Sequence, residues 1–165
     1  MNARDDAWPR AGPGVARRPR ILVVDSHPLF GASLAKLLGN PPLMASVEVV
    51  TDREAATRRL NRVDLDLLIC ELTASASTAT RLLWSRSQEP GEVPLVLLAD
   101  ADEEELLLDA ATSGAAGFFT KDCAPEEFIA GVGLALQGQQ AVGRRLIPGM
   151  LARLNRAPRA AARRS

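Results

Sequence analysis

The sequence predicts an α/β domain with a parallel sheet covered by helices on both faces. Three observations predict it. Five short, mostly apolar runs recur along the chain, at 21–24, 47–50, 67–70, 95–99 and 117–119. The segments between them carry apolar residues at helical spacing, with helix start and stop signals around them. The residues able to do chemistry cluster just after the runs rather than within them. Runs apolar throughout are strands buried on both faces, as parallel strands flanked by helices are.

Ile21-Leu22-Val23-Val24 is the first such strand. Pro28 suits the first turn of a helix, Phe30, Leu34, Leu37 and Leu38 share one helical face, and Gly39 ends it. Val47 to Val50 reads as the second strand, and Asp52 can cap a helix running to about Leu60. Leu67-Leu68-Ile69-Cys70 is the third strand, and a shorter helix is expected from about Ala79 to Arg86. After Pro94 comes the strand Leu95 to Ala99. Asp102 is expected to cap a helix that begins Glu103-Glu104-Glu105, with acids at the positive end of the dipole, and ends near Gly114. Gly117-Phe118-Phe119 is the last strand. Pro125-Glu126-Glu127 opens a helix with Phe128, Ile129, Val132 and Leu136 on one face, and Pro148 opens a final short helix bearing Leu151 and Leu154.

The chain has 165 residues, enough for one domain with short tails. Hydrophobic content is 47% and charged content 24%, which excludes a disordered chain. No apolar run approaches the roughly 20 residues that would cross a membrane. The first residues include Arg4, Asp5, Asp6 and Pro9 and no apolar segment, so the expectation is a cytoplasmic protein. Net charge is zero, yet unevenly spread: +3 over residues 1–20, −10 over 21–143 and +7 over 144–165. The organisation expected is a disordered leader at 1–19, a folded domain at 20–143, and a basic linker helix and tail at 144–165. Arginine-rich tails are either solvated or contact nucleic acid or acidic lipid, and solvated tails are the expectation.

In parallel sheets the working site lies beyond the carboxyl ends of the strands. There stand Asp25 and Ser26, Glu71, Ala99 and Asp100, and Thr120, Lys121 and Asp122. Grouped carboxylates repel, so such a pocket needs a cation, a lysine or a proton. Asp100 either adds an acid to this pocket or helps cap the next helix, and the cap is the expectation. His27, the one histidine, is assigned a helix-start role before Pro28 rather than that of base or ligand. Cys70 and Cys123 are expected to be inert free thiols, not a redox switch.

Several blocks carry a resemblance. Ile21-Leu22-Val23-Val24-Asp25-Ser26-His27-Pro28-Leu29-Phe30, Asp66-Leu67-Leu68-Ile69-Cys70-Glu71-Leu72, Gly114 to Asp122 and Pro125-Glu126-Glu127-Phe128 stand in the right order. Together they resemble response-regulator receiver domains of the NarL/FixJ type. The match runs from about Arg20 to Gly143. The resemblance implies a flavodoxin-like (βα)5 fold with strand order 2-1-3-4-5. It also implies a mechanism: acids after the first strand and an Asp ending the third hold Mg²⁺. That Asp accepts a phosphoryl group, and a Ser or Thr and a Lys bind the phosphoryl oxygens.

This sequence departs from the pattern. Asp25 remains as a weak metal ligand, but Ser26 replaces the second acid, and a hydroxyl is a poor ligand for hard Mg²⁺. Glu71 replaces the acceptor Asp, moving the carboxylate out by one methylene and off the in-line geometry. Ala99 replaces the switch hydroxyl, Phe118 stands at the aromatic switch position, and Lys121 is kept. The expectation is an atypical receiver without catalysis and without a cofactor. It would act in signal transduction or transcription regulation by protein contact, as a homodimer or with another regulator. Two alternatives stand beside it: a conventional phosphoreceiver fed by a histidine kinase, and a nucleic-acid binder using the arginine tails. A nucleotide-binding enzyme ranks last, since no glycine-rich loop follows the first strand. Too few residues follow Gly143 for a linker helix and a helix-turn-helix. Either the protein acts without that module, or the sequence continues into it. Glu71 is long enough to reach Lys121, either imitating the phosphorylated state or forming an ordinary ion pair.

Overall fold

Apolar side chains on successive strand residues point to opposite faces. In the computed structural model, which describes residues 17–60, 64–74 and 93–156, this alternation divides the core in two. The strands are β1 (Arg20–Val24), β2 (Ser46–Val50), β3 (Leu67–Glu71), β4 (Leu95–Ala99), β5 (Gly117–Thr120) and β6 (Ala141–Val142). The α-helices are α1 (Pro28–Gly39), α2 (Arg53–Leu60), α3 (Glu104–Asp109), α4 (Pro125–Leu136) and α5 (Ile147–Arg156). Ile21, Val23, Leu67, Ile69, Val96, Leu98 and Phe119 face α1 and α4. Leu22, Val24, Leu68, Cys70, Leu95, Leu97 and Phe118 face α2, α3 and α5.

The sheet is wholly parallel, in the order β2-β1-β3-β4-β5-β6. The first five strands follow the expected order. The sixth was not expected. Its two residues pair with Gly117 and Phe118, and Ala141 N–H and Gly143 N–H donate to the carbonyls of Ala116 and Phe118. A two-residue strand has no periodicity to read; only its partner defines it. Every residue of β3, β4 and β5 is buried, as parallel strands covered on both sides must be.

Helix boundaries follow local chemistry where that chemistry is strong. Pro28 and Pro125 occupy the first turns of α1 and α4, and Asp52 accepts from Ala55 N–H at 2.8 Å ahead of α2. The stretch after β4 differs from expectation. Residues 101–103 form a tight 3-10 turn, Asp100 rather than Asp102 takes the N-cap position without a side-chain cap, and α3 stops at Asp109. Beyond it Ala111 N–H and Ser113 N–H make i→i−3 bonds, and Gly114 takes a positive φ of 85°. Three-residue turns thus replace both ends of the predicted helix. The helix expected at 79–86, residues 1–16 of the leader expected at 1–19, and the tail at 157–165 lie outside the described residues. The end of that leader is tied down, with Arg17 paired to Asp66 and Pro19 O accepting from Ser46 N–H at 2.8 Å. Among the described residues no helix is long and apolar enough to cross a membrane.

The α4 face shows how tightly the layers fit. Phe128 meets Phe119 edge-to-face, with ring centroids 5.4 Å apart. A Cβ on Gly131 would lie 2.2 Å from Phe119 Cζ, so a glycine is required for α4 to approach β5. Gly131→Ala is therefore expected to lower stability by about 1–3 kcal/mol through overpacking, despite better helix propensity. A urea or thermal unfolding curve measures it; an unchanged midpoint would show that the ring yields freely.

Candidate functional site

The order β2-β1-β3 reverses the direction of winding, which opens a crevice at the carboxyl ends of β1 and β3. Backbone bonds carry the strand register into the loops above it. Asp25 N–H donates to Val50 O at 3.1 Å, Leu72 N–H to Leu98 O at 2.6 Å and Lys121 N–H to Ala99 O at 2.8 Å. The side chains that follow β1, β3 and β5 are thus set on one edge by the ladder itself.

Five of the predicted residues meet there. Lys121 Nζ lies 2.5 Å from Glu71 Oε1 and 2.9 Å from Asp25 Oδ2, and Asp100 Oδ1 is 3.7 Å away. The other oxygen of Glu71 accepts from Ser26 Oγ at 2.6 Å and Ser26 N–H at 2.9 Å. Asp25 Oδ1 accepts from His27 N–H at 2.7 Å, while its buried Oδ2 meets Lys121 as an ion pair and makes no other hydrogen bond. Asp25 is 1% and Glu71 8% exposed, so these charges interact with little water between them.

Ala99 joins the group only through its backbone carbonyl; its methyl is fully buried and offers no hydroxyl. Phe118 is apart from the pocket, buried in the core layer under α3 and α5. Asp100 makes no cap bond and turns toward Lys121 instead.

Two residues matter more than their sequence context indicates. His27 does occupy the N-cap position of α1, but its Nδ1 also lies 3.1 Å from Glu71 Oε1. Phe30 belongs by periodicity to the apolar face of a helix, yet its ring lies 4.7 Å below the Lys121 ammonium, a cation–π contact. Position directly after a strand end was the signal for His27; nothing in the sequence pointed Phe30 at Lys121.

Burial pushes the Glu71 carboxyl up, but hydrogen bonds from Lys121 and from the Ser26 hydroxyl and amide outweigh it, bringing the pKa down to about 2. Burial likewise lowers Lys121, and Glu71 and Asp25 more than reverse it, so the ammonium is held charged. Cys123 is pushed up to about 11 by burial and the nearby Glu127 and Asp122, which leaves an unreactive thiol at neutral pH. Cys70 is buried with its sulfur 3.5 Å from Glu71 O.

The ligand atoms of Asp25, His27 and Glu71 lie within 4.8 Å of one another. They do not fit the Mg²⁺ that the resemblance implies. The Lys121 ammonium already bridges the two carboxylates, and the Ser26 hydroxyl, where a second acid would stand, donates its proton to Glu71. A cation held through one or two carboxylates and several waters would have to displace the Lys121 ammonium from both acids. From the pocket a groove of about 610 Å³ opens past His27, Leu29, Phe30, Asp100 and Asp122.

The family model described as the response regulator receiver domain matches residues 21–132, about two-thirds of the chain. The chain belongs to that family. Among curated relatives the receiver is similar to the transcriptional regulatory protein UhpA of Escherichia coli (strain K12), 31% identical over 113 residues. That match covers 68% of this chain and 56% of UhpA. It is also similar to the nitrate/nitrite response regulator NarL of the same organism, 25% identical over 139 residues, covering 83% of this chain and 64% of NarL. The receiver thus spans less than two-thirds of either relative's length. Among solved structures, a LuxR-family two-component response regulator from Aurantimonas sp. SI85-9A1 matches in fold with a TM-score of 0.70 at 22% identity. That match covers 84% of this chain and 99% of the other. The chain is therefore a receiver of two-component signalling related to transcription regulators, and its relatives are regulators rather than enzymes.

The lowered Glu71 value sets a pH dependence. The unfolded carboxyl titrates near 4.5 and the folded one near 2, so the folded state binds fewer protons between them. Its contribution, about 3 kcal/mol from the size of the shift, is present in full above pH 4.5 and is lost as pH falls through about 2. Glu71→Gln should remove that component of the stability–pH profile in urea titrations, and the wild-type ¹³C carboxyl resonance of Glu71 should titrate near pH 2. A midpoint above 4 would refute the bound carboxylate.

Proposed function

We propose that this receiver works without phosphorylation, as a cytoplasmic signalling domain whose switch pocket is held in one state by Glu71 and Lys121. Its output is contact with another protein, either a second receiver or a regulator. The observation that supports the reading is the saturation of the Glu71 carboxylate. Oε1 is taken by Lys121 at 2.5 Å and Oε2 by two donors of Ser26. A carboxylate so engaged is a poor nucleophile, because attack requires a free lone pair aligned with an incoming phosphorus.

Two further features agree, and one limits the imitation. Glu71 brings one negative charge to Lys121 where an aspartyl phosphate would bring more charge and three acceptor oxygens, so the imitation is partial. Ala99 has no hydroxyl with which to report a phosphoryl group. Leu29, 82% exposed beside the pocket, provides an apolar point for a protein partner.

Intact mass after incubation with acetyl phosphate and Mg²⁺ tests the reading. The wild type should gain no phosphoryl group, whereas Glu71→Asp combined with Ser26→Asp should gain one, because the shorter acid frees Lys121 and the new acid restores a metal ligand. A labile adduct on the wild type would sink the proposal and return the domain to ordinary phosphoacceptors. A wild type without adduct should still pull down the same partner as an Asp-restored variant treated with donor.

A further inference from the structure

Arg145 takes no part in the pocket's chemistry, yet it ties the pocket's two outer loops together. It stands in the 3-10 turn Arg144–Leu146 that directly follows β6. Its backbone is pinned on both sides: Gly143 N–H donates to Phe118 O at 2.8 Å, and Leu146 is fully buried. From that point Nε donates to Glu104 Oε2 at 2.9 Å, Nη1 to Asp122 Oδ2 at 2.8 Å and Nη2 to Ala101 O at 3.5 Å. Ala101 and Glu104 belong to the loop and first helical turn after β4. Asp122 adjoins Lys121 in the loop after β5.

The same segment continues into α5, which lies along α3. Arg153 pairs with Asp109 and Glu105, and Met150 is buried. A Cβ on Gly149 would come within 2.7 Å of Leu108, so the two helices touch at a glycine. On its other side α5 leaves Ile147, Leu151 and Leu154 exposed. One continuous stretch thus holds both pocket loops at one end and displays an apolar helix edge at the other.

We propose that Arg145 is a positioning residue that couples the loops after β4 and β5 to the docking of α5. It adds from the C-terminal side a tie between these loops, beyond the backbone bond from Lys121 N–H to Ala99 O. The proposal deepens the phosphorylation-independent reading, since a fixed pocket needs a fixed route outward. Exposed ion pairs are individually weak, and Arg145 is about half exposed. Here one guanidinium serves three acceptors from an ordered backbone position, so the side-chain entropy lost on pairing is shared among three bonds.

A double-mutant cycle with residue-level hydrogen exchange tests it on the full chain. The reporters are Glu103 N–H, bonded to Asp100 O, and Cys123 N–H, bonded to Thr120 O, one in each loop, together with the α5 amides. Arg145→Ala should speed exchange at both reporters and along α5 by roughly three- to tenfold. Arg153→Ala should loosen α5 and, while Arg145 is present, also speed Glu103 and Cys123; in the Arg145→Ala background it should no longer affect them. Unchanged reporters in Arg145→Ala, or loop effects of the two substitutions that simply multiply, would overturn the coupling. Arg145 is exposed and Arg153 only partly buried, and neither belongs to the core, so the variants keep it. The Glu71 carboxyl titration, read in the same samples, separates the two ideas. An ordinary Glu71 midpoint would sink the lock, while the exchange rates would still decide whether Arg145 couples the loops.

Discussion

An ammonium and a carboxylate cannot be buried apart at an acceptable cost, and that constraint organises the crevice of this receiver. Lys121 leaves β5 and Glu71 ends β3, with β4 between them in the sheet. Their side chains meet at 2.5 Å across the end of that strand. Removing Lys121 would leave two buried carboxylates, Glu71 and Asp25, without their cation, the kind of change that costs several kilocalories per mole in typical proteins. Asp25, Ser26 and His27 are arranged around this pair, each within hydrogen-bond or ion-pair reach of Glu71 or Lys121.

Three carboxylates around one ammonium leave the crevice negative. In an ordinary receiver such a surplus suits a divalent cation, and the cation prepares the acid for phosphorylation. Here the surplus is met by donors of the chain itself: the Ser26 hydroxyl and amide, the His27 amide and Lys121. One extra methylene at Glu71 and one lost carboxylate at position 26 act in concert. The longer acid reaches the lysine, and the serine becomes a donor to that acid where an aspartate would repel it.

The periphery repeats the pattern on a looser scale. The acids of the loop after β4 and of α3 are answered by arginines of the C-terminal segment, with Arg145 on Glu104 and Asp122, and Arg153 on Glu105 and Asp109. The uneven charge along the chain, acidic in the body and basic after residue 143, therefore has a structural use before any nucleic acid is invoked. These outer pairs are exposed and screened by salt, so they position rather than stabilise.

Composition and periodicity indicated the layer architecture: short apolar runs with no polar face, set between helical patterns, suit strands covered on both sides, and Pro28, Pro125 and Asp52 marked where helices begin. Asp25, Ser26, Glu71 and Lys121 were legible as a group because parallel strands deliver their carboxyl ends to one edge. What the sequence could not decide is everything that depends on distances between elements. Two-residue β6 exists only as a partner of β5, the helix expected from Asp102 to Gly114 survives as six residues between tight turns, and Asp100 serves Lys121 instead of a cap. Phe30 beneath Lys121, His27 against Glu71 and Arg145 across two loops join residues far apart in the chain. Local pattern carries a side chain's period and polarity, whereas its partner is chosen by the packing of layers, and that choice was made only when the chain closed on itself.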